Sequence, residues 1–152
     1  MNDEQYMRRA LELAQRAADE LETPIGAVIV YQGRIIGEGY NKRNQLGNPL
    51  YHAEIEAIHQ AAGFMGDWRL EECTMYVTLE PCPMCAGAIV QARIPRVVLG
   101  AMNPKAGCAG SIMNLLEEPR FNHQVQVERG ILEEESRAIM QKFFADLRKR
   151  KG

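Results

Sequence analysis

Two short stretches hold the side chains best suited to chemistry: His-Ala-Glu at 52–54 and Pro-Cys-Pro-Met-Cys at 81–85. Cys82 and Cys85 stand i, i+3 where prolines mark the opening of a helix, so both sulfurs project from one face. A helix N-terminus favours negative charge and lowers thiol pKa values, which makes thiolates available there. Taken alone, the pair fits three chemistries. It could be a redox dithiol, since a strand, Cys-x-x-Cys and a helix in that order is a redox arrangement. It could be half of a structural zinc knuckle, which ordinarily uses two such pairs. Or it could belong to a catalytic zinc, which needs three protein ligands and leaves a fourth position to water.

His52 tips the balance toward the catalytic metal. It also opens a helix directly after a loop, and in parallel α/β sheets helix starts gather at the carboxyl ends of strands. One neutral imidazole and two thiolates would give zinc a tetrahedral site of net charge near zero with one open position. Glu54 then has no need to be a ligand; beside the open position it would carry protons for the water. A lone His at a helix start is more often a surface or capping residue, and a lone Glu in a first turn often only complements the helix dipole. The conjunction of the two motifs carries the reading.

These residues need a frame that brings residue 52 beside residues 82 and 85. Residues 3–21 space Tyr6, Ala10, Leu11, Ala14, Ala17, Ala18 and Leu21 by threes and fours, predicting an amphipathic helix with Asp3 as N-cap. The runs at 25–31 and 34–40 flank Gln32-Gly33 and predict a tight hairpin. A loop is expected over 41–51 and a helix over 52–63. Short apolar strands at 74–79 and 96–101 enclose a helix at 81–93; a loop at 102–110, a short helix at 111–117, a strand at 124–130 and a charged helix at 133–149 follow. Strand–helix–strand alternation after residue 52 implies parallel strands headed by the antiparallel hairpin. The expected fold is α/β: one domain over 1–152, a three-layer α/β/α sandwich on a mixed five-stranded sheet.

The net charge of −2 gives no global sign of a nucleic-acid partner, although a local basic patch can dock phosphates on a neutral body. The N-terminus is charged from residue 3, so no signal peptide is expected, and the longest apolar run, 25–31, is far short of the roughly 20 residues of a membrane span. A cytoplasmic place is the expectation. Cys73, Cys108, Trp68 and the methionines are expected to pack in the core.

The "HAE" and "PCPMC" stretches together resemble the zinc-dependent nucleobase deaminases of the cytidine/deoxycytidylate deaminase superfamily. The likeness runs nearly end to end and is closest to the bacterial tRNA-specific adenosine deaminases. It is carried by "PIGAVIV" (24–30), "GEGYN" (37–41), "HAEIEAI" (52–58), "TLEPCPMCAGAI" (78–89), "RVVLGAMNPKAGCAGS" (96–111), "FNH" (121–123) and "FF" (143–144). That resemblance implies the cytidine deaminase-like fold and one Zn2+ per subunit on His52, Cys82 and Cys85, with Glu54 as the proton shuttle. The activity implied is conversion of the wobble adenosine of an arginine tRNA anticodon to inosine by a homodimer. It also implies that Asn41 lies in the base pocket, and that Asn103, Lys105, Asn122 and an aromatic at 143 or 144, Phe144 by preference, line a groove for the anticodon stem-loop.

The terminus "KFFADLRKRKG" adds support from its own chemistry, because single-stranded RNA is held by stacking side chains beside a positive track. Phe143 and Phe144 are adjacent on a helix and cannot both face one way. Two rivals stand beside this reading. A zinc deaminase of a free nucleobase or nucleoside, of guanine or cytosine type, would share the metal, the Glu and the fold. A thiol–disulfide module would use only Cys82 and Cys85 and leave His52 and Glu54 idle.

Overall fold

Successive residues of the three inner strands face opposite helical layers. The structure, a computed structural model, describes residues 1–151; Gly152 and the side chain of Lys151, at the end of the basic tail, lie outside the described residues. The elements run α1 (Asp3–Asp19), β1 (Gly26–Tyr31), β2 (Arg34–Tyr40), α2 (Arg43–Leu46), α3 (Ala53–Met65), β3 (Cys73–Leu79), α4 (Pro83–Gln91), β4 (Arg96–Ala101), β5 (Gln126–Glu128) and α5 (Glu133–Lys151). The sheet order is β2-β1-β3-β4-β5, with β1 antiparallel to both neighbours and β3, β4 and β5 parallel. This is the expected mixed five-stranded three-layer sandwich.

The alternation decides the layers. Ala27, Ile29, Met75, Val77, Val97 and Leu99 pack with Ala53, Ala57 and Ala61 of α3 and Ala86 and Ile89 of α4. Val28, Val30, Tyr76 and Val98 face the other way, onto Tyr6, Met7, Ala10 and Leu13 of α1, with α5 completing that layer against β4. Truncating a fully buried side chain such as Met75 or Leu99 to Ala would cost about 2–5 kcal/mol. The α3 contact is unusually close. A Cβ at Gly37 or Gly39 would overlap the backbone carbonyl of Ala57 or Ala53, so the two glycines of β2 set how near α3, and the residue that opens it, can approach the sheet.

Several boundaries differ from expectation, each for a local reason. The N-cap of α1 is Asn2, whose side chain accepts the Gln5 N–H at 2.9 Å while the Gln5 side chain accepts the Asn2 N–H at 2.8 Å. Asp3 turns instead to Arg96 and to the Tyr76 hydroxyl, both at 2.6 Å. The helix stops at Asp19 because Leu21 takes a positive φ of 64°. Within the expected 41–51 loop lies α2, held by the buried Glu22 carboxylate, which accepts the Asn44 and Gln45 N–H groups at 3.0 and 2.7 Å. Residues 111–117 form turns around an Ala109–Asn114 bridge and no helix, and the last strand is confined to 126–128. Cys73 and Cys108 are buried as expected, whereas Trp68 is 59% exposed, flanked by the Arg69 and Arg93 guanidinium groups.

Candidate active site

The residues of the two motifs meet where α3 and α4 begin. His52 is the N-cap of α3, in extended conformation, and Cys82 is the N-cap of α4, with Pro83 following at the first helical position. Cys85 lies one turn in and is fully buried. Neither cap side chain bonds its own helix, so imidazole and thiol are free to turn toward each other. His52 Nδ1 lies 3.6 Å from Cys82 Sγ and 3.5 Å from Cys85 Sγ, and all three donor atoms fall within 4.8 Å of one another. A tetrahedral metal bonded at about 2.3 Å to sulfur and about 2.05 Å to nitrogen would hold such N and S atoms about 3.6 Å apart. The donor types and spacing therefore fit one small tetrahedral cation. Among the described residues, this is the one cluster of its kind.

The electrostatics agree. The Cys85 thiol beside Cys82, working against burial and helped by His52, brings Cys82 down to about 4. Cys85 itself is pushed up by that same partner and by burial. The Cys82 sulfur in turn raises His52. Glu54, in the first turn of α3, is 3% exposed, and burial pushes its carboxyl up to about 7, with the negative Cys82 adding and His52 opposing. Its Oε1 is buried with no hydrogen-bond partner among the described residues. The Oδ1 of Asn41, 5% exposed, is in the same condition. Such orphans are uncommon in folded proteins and mark places where water or a ligand completes the bonding. Asn41 is tied to the site through its neighbour, since Lys42 N–H bonds the Tyr51 carbonyl at 3.1 Å beside His52.

At the carboxyl ends of β3 and β4 lies a groove of about 850 Å³ between the 102–106 loop and α5. Asn103, Lys105 and Phe144 all line it, together with Arg43, Arg137 and Arg148, and none of the described lining residues is acidic. Asn122 is exposed and stands apart from this lining. Phe144 faces the groove while Phe143 lines a separate cleft against the end of α1, with the two rings edge to face. His59 is exposed, and His123 Nε2 is 2.7 Å from the Ile94 carbonyl oxygen. No described helix is long and apolar enough to cross a membrane.

Sequence reasoning overlooked two buried acids that hold this end together. Glu56 accepts the Tyr40 N–H at 3.1 Å, pairs with Lys42 and accepts the Tyr51 hydroxyl at 3.4 Å, fastening the Tyr40 backbone and the Lys42 side chain, on either side of Asn41, to the residue that precedes His52. Glu80, 1% exposed, precedes Pro81-Cys82 and binds the 102–111 loop. A surface Glu and a buried one are the same letter, and only the distant N–H groups that meet it tell them apart.

The chain matches the MafB19-like deaminase family over residues 1–148. It is 51% identical over 149 residues to the tRNA-specific adenosine deaminase of Bacillus subtilis strain 168, covering 98% of this chain and 92% of that one. Among solved structures it is similar to one from a study of A-to-I editing by tRNA:A34 deaminases at the wobble position of transfer RNA, with a TM-score of 0.85 and 41% identity, over 89% of this chain and 98% of the other. A guanine deaminase from Bacillus subtilis is 41% identical over a smaller part, 73% of this chain and 71% of that one, with a TM-score of 0.67.

Proposed function

We propose that this chain, which belongs to the tRNA-specific adenosine deaminases, hydrolyses the exocyclic C–N bond of the wobble adenosine in a tRNA anticodon, giving inosine and ammonia. The observation that carries the chemistry is the buried Glu54 carboxyl, its Oε1 without a partner among the described residues, near a His52–Cys82–Cys85 triangle of tetrahedral spacing. His52, Cys82 and Cys85 would hold one Zn2+ per subunit. When bound, zinc supplies a water acidified from about 15.7 to about 7, hence a nucleophile at neutral pH.

Glu54 does the proton work. Its Oε1 accepts the proton of the attacking water and hands it to a ring nitrogen of the purine. The second water proton then goes to the exocyclic nitrogen, which leaves as ammonia. A carboxyl raised by burial toward neutrality suits both directions of transfer. Asn41 Oδ1, buried without a partner among the described residues, would accept a hydrogen bond from the base. The target adenosine must leave its stack to reach so enclosed a carboxylate, which favours an anticodon loop over duplex.

The groove supplies recognition. Phe144 offers a face for a neighbouring base, Arg43, Lys105 and Arg148 offer charge to phosphates, and Asn103 offers hydrogen bonds to the loop of an arginine tRNA; Asn122, exposed outside the groove, would add a contact beyond it. Leu46, Leu50, Ile112 and Met113 are exposed apolar side chains suited to a second copy of the chain in a homodimer. The four cysteines are free, which suits the reducing cytoplasm.

The experiment is an assay of inosine formation on an anticodon stem-loop, run in parallel with free adenosine, cytidine and guanine. Turnover of the stem-loop, weakened steeply by added salt, is expected. Activity confined to a free base would overturn the proposal in favour of a nucleobase deaminase.

A further inference from the structure

Glu80 occupies a position unlike that of any other acid in the chain. It is buried, it follows the last residue of β3, and it directly precedes the Pro81-Cys82 segment. A desolvated carboxylate is tolerated only where donors surround it. Here every donor comes from one loop. The Asn103 N–H donates to Oε1 at 2.9 Å, the Ala109 and Ser111 N–H groups donate to Oε2 at 2.8 and 2.9 Å, and the Ser111 hydroxyl donates to Oε1. Burial alone would raise its pKa, yet these bonds hold the carboxyl below its ordinary range.

The loop is closed around that carboxylate. A Cβ at Gly107 would overlap the Glu80 carboxyl, so only glycine lets the loop wrap this tightly. The Cys108 N–H bonds the Pro81 carbonyl at 2.8 Å, and the Gly107 N–H bonds the Asn103 carbonyl at 2.8 Å. The same loop presents Asn103 and Lys105 to the groove that Phe144 lines. One buried charge thus joins the segment bearing Cys82 to the segment facing the groove.

The geometry points to Glu80 as a positioning residue for RNA recognition: it pre-sets the 102–111 loop so that Lys105 and Asn103 meet the anticodon stem-loop without first ordering. It touches neither the donor triangle nor the groove. A loop ordered in advance does not spend binding energy on its own ordering, so losing the anchor should weaken stem-loop binding and leave the chemical step intact. Gln cannot replace Glu here, because its NH2 would face N–H donors where the carboxylate oxygen accepts them.

This inference rests on reading the groove as the RNA surface, and a double-mutant cycle separates the two. Glu80→Gln, Lys105→Ala and the double variant are compared with the parent for metal content and for kcat and KM on an anticodon stem-loop. Lys105→Ala is expected to raise KM about fivefold. Glu80→Gln should raise it at least about tenfold, with one metal per chain and kcat within about twofold. In the double variant, KM should match that of Glu80→Gln, since Lys105 is no longer held in place. Unchanged KM for Lys105→Ala would remove the groove reading itself. Normal KM in Glu80→Gln, or full multiplication of the two effects, would overturn the role of Glu80 while leaving the groove standing. Should Glu80→Gln not fold, Ser111→Ala removes the hydroxyl donor alone and leaves the three N–H contacts in place; a KM raised about threefold at unchanged kcat supports the role, and an unchanged KM overturns it.

Discussion

The donor triangle and the basic groove lie at the same end of the sheet, yet they are made in different ways. The triangle is built from helix starts: His52 and Cys82 are N-caps, Cys85 is one turn further, and Glu54 sits in the first turn of α3. Its side chains are buried or half-buried, and the backbone of two packed helices fixes them. The groove is assembled from a loop between β4 and β5, the short α2 and the face of the last helix, all with partly exposed side chains. Chemistry needs its groups fixed to within fractions of an ångström, and recognition of a flexible RNA loop tolerates long cationic side chains. The two regions should therefore fail differently when they are altered.

The largest effect is expected for Cys85→Ala. It removes a fully buried donor, so elemental analysis should find the metal lost and inosine formation at background. Glu54→Ala comes next: metal retained, stem-loop affinity near normal, and turnover reduced by at least about 100-fold. A near-normal rate would show that Glu54 does not carry the proton. Phe144→Ala belongs to the other region and should raise KM about tenfold through lost base stacking while kcat holds. The smallest effect is a control on the frame. Asp3→Asn breaks the pair with Arg96 at the opposite end of β4, so melting temperature at pH 7 should fall by a few degrees with activity unchanged. The Arg96 guanidinium, against partial burial, holds the Asp3 carboxyl below its ordinary value of 3.8, so its contribution is present above that pH and lost as pH falls through the lowered value. The gap between the two proteins should close on acidification, as followed by thermal melts.

The triangle was legible because each half of it is a local motif at a helix start, and the two motifs together match the deaminase pattern. An i, i+3 cysteine pair after a strand can point only one way, and a His after a loop opens the neighbouring helix. Sheet and layers were legible from local pattern too: "IGAVIVY" and, after Arg96, "VVLGA" are almost wholly apolar, as strands covered on both faces must be. What escaped depended on distant partners. The stretch 111–117 carries helix-compatible letters, but Ser111 is bonded to Glu80 and Asn114 bridges to Ala109, so it turns instead. Trp68 follows the end of α3 with no packing site, and two arginines flank its exposed ring. Glu22, Glu56 and Glu80 carry no local sign of burial in the sequence and are among the most buried polar groups. Phe144 was expected in the groove through the family resemblance alone, and its place there follows from how α5 packs on β4.

One measurement bears most directly on the division between chemistry and recognition. In single-turnover reactions on an anticodon stem-loop, inosine formation is followed against enzyme concentration for the parent chain, Glu54→Ala and Phe144→Ala. The saturating rate should collapse by at least about 100-fold in Glu54→Ala with the half-saturating concentration unmoved, whereas Phe144→Ala should shift that concentration about tenfold and keep the rate. A Glu54→Ala protein that forms inosine at the parent rate while holding its metal would contradict the account.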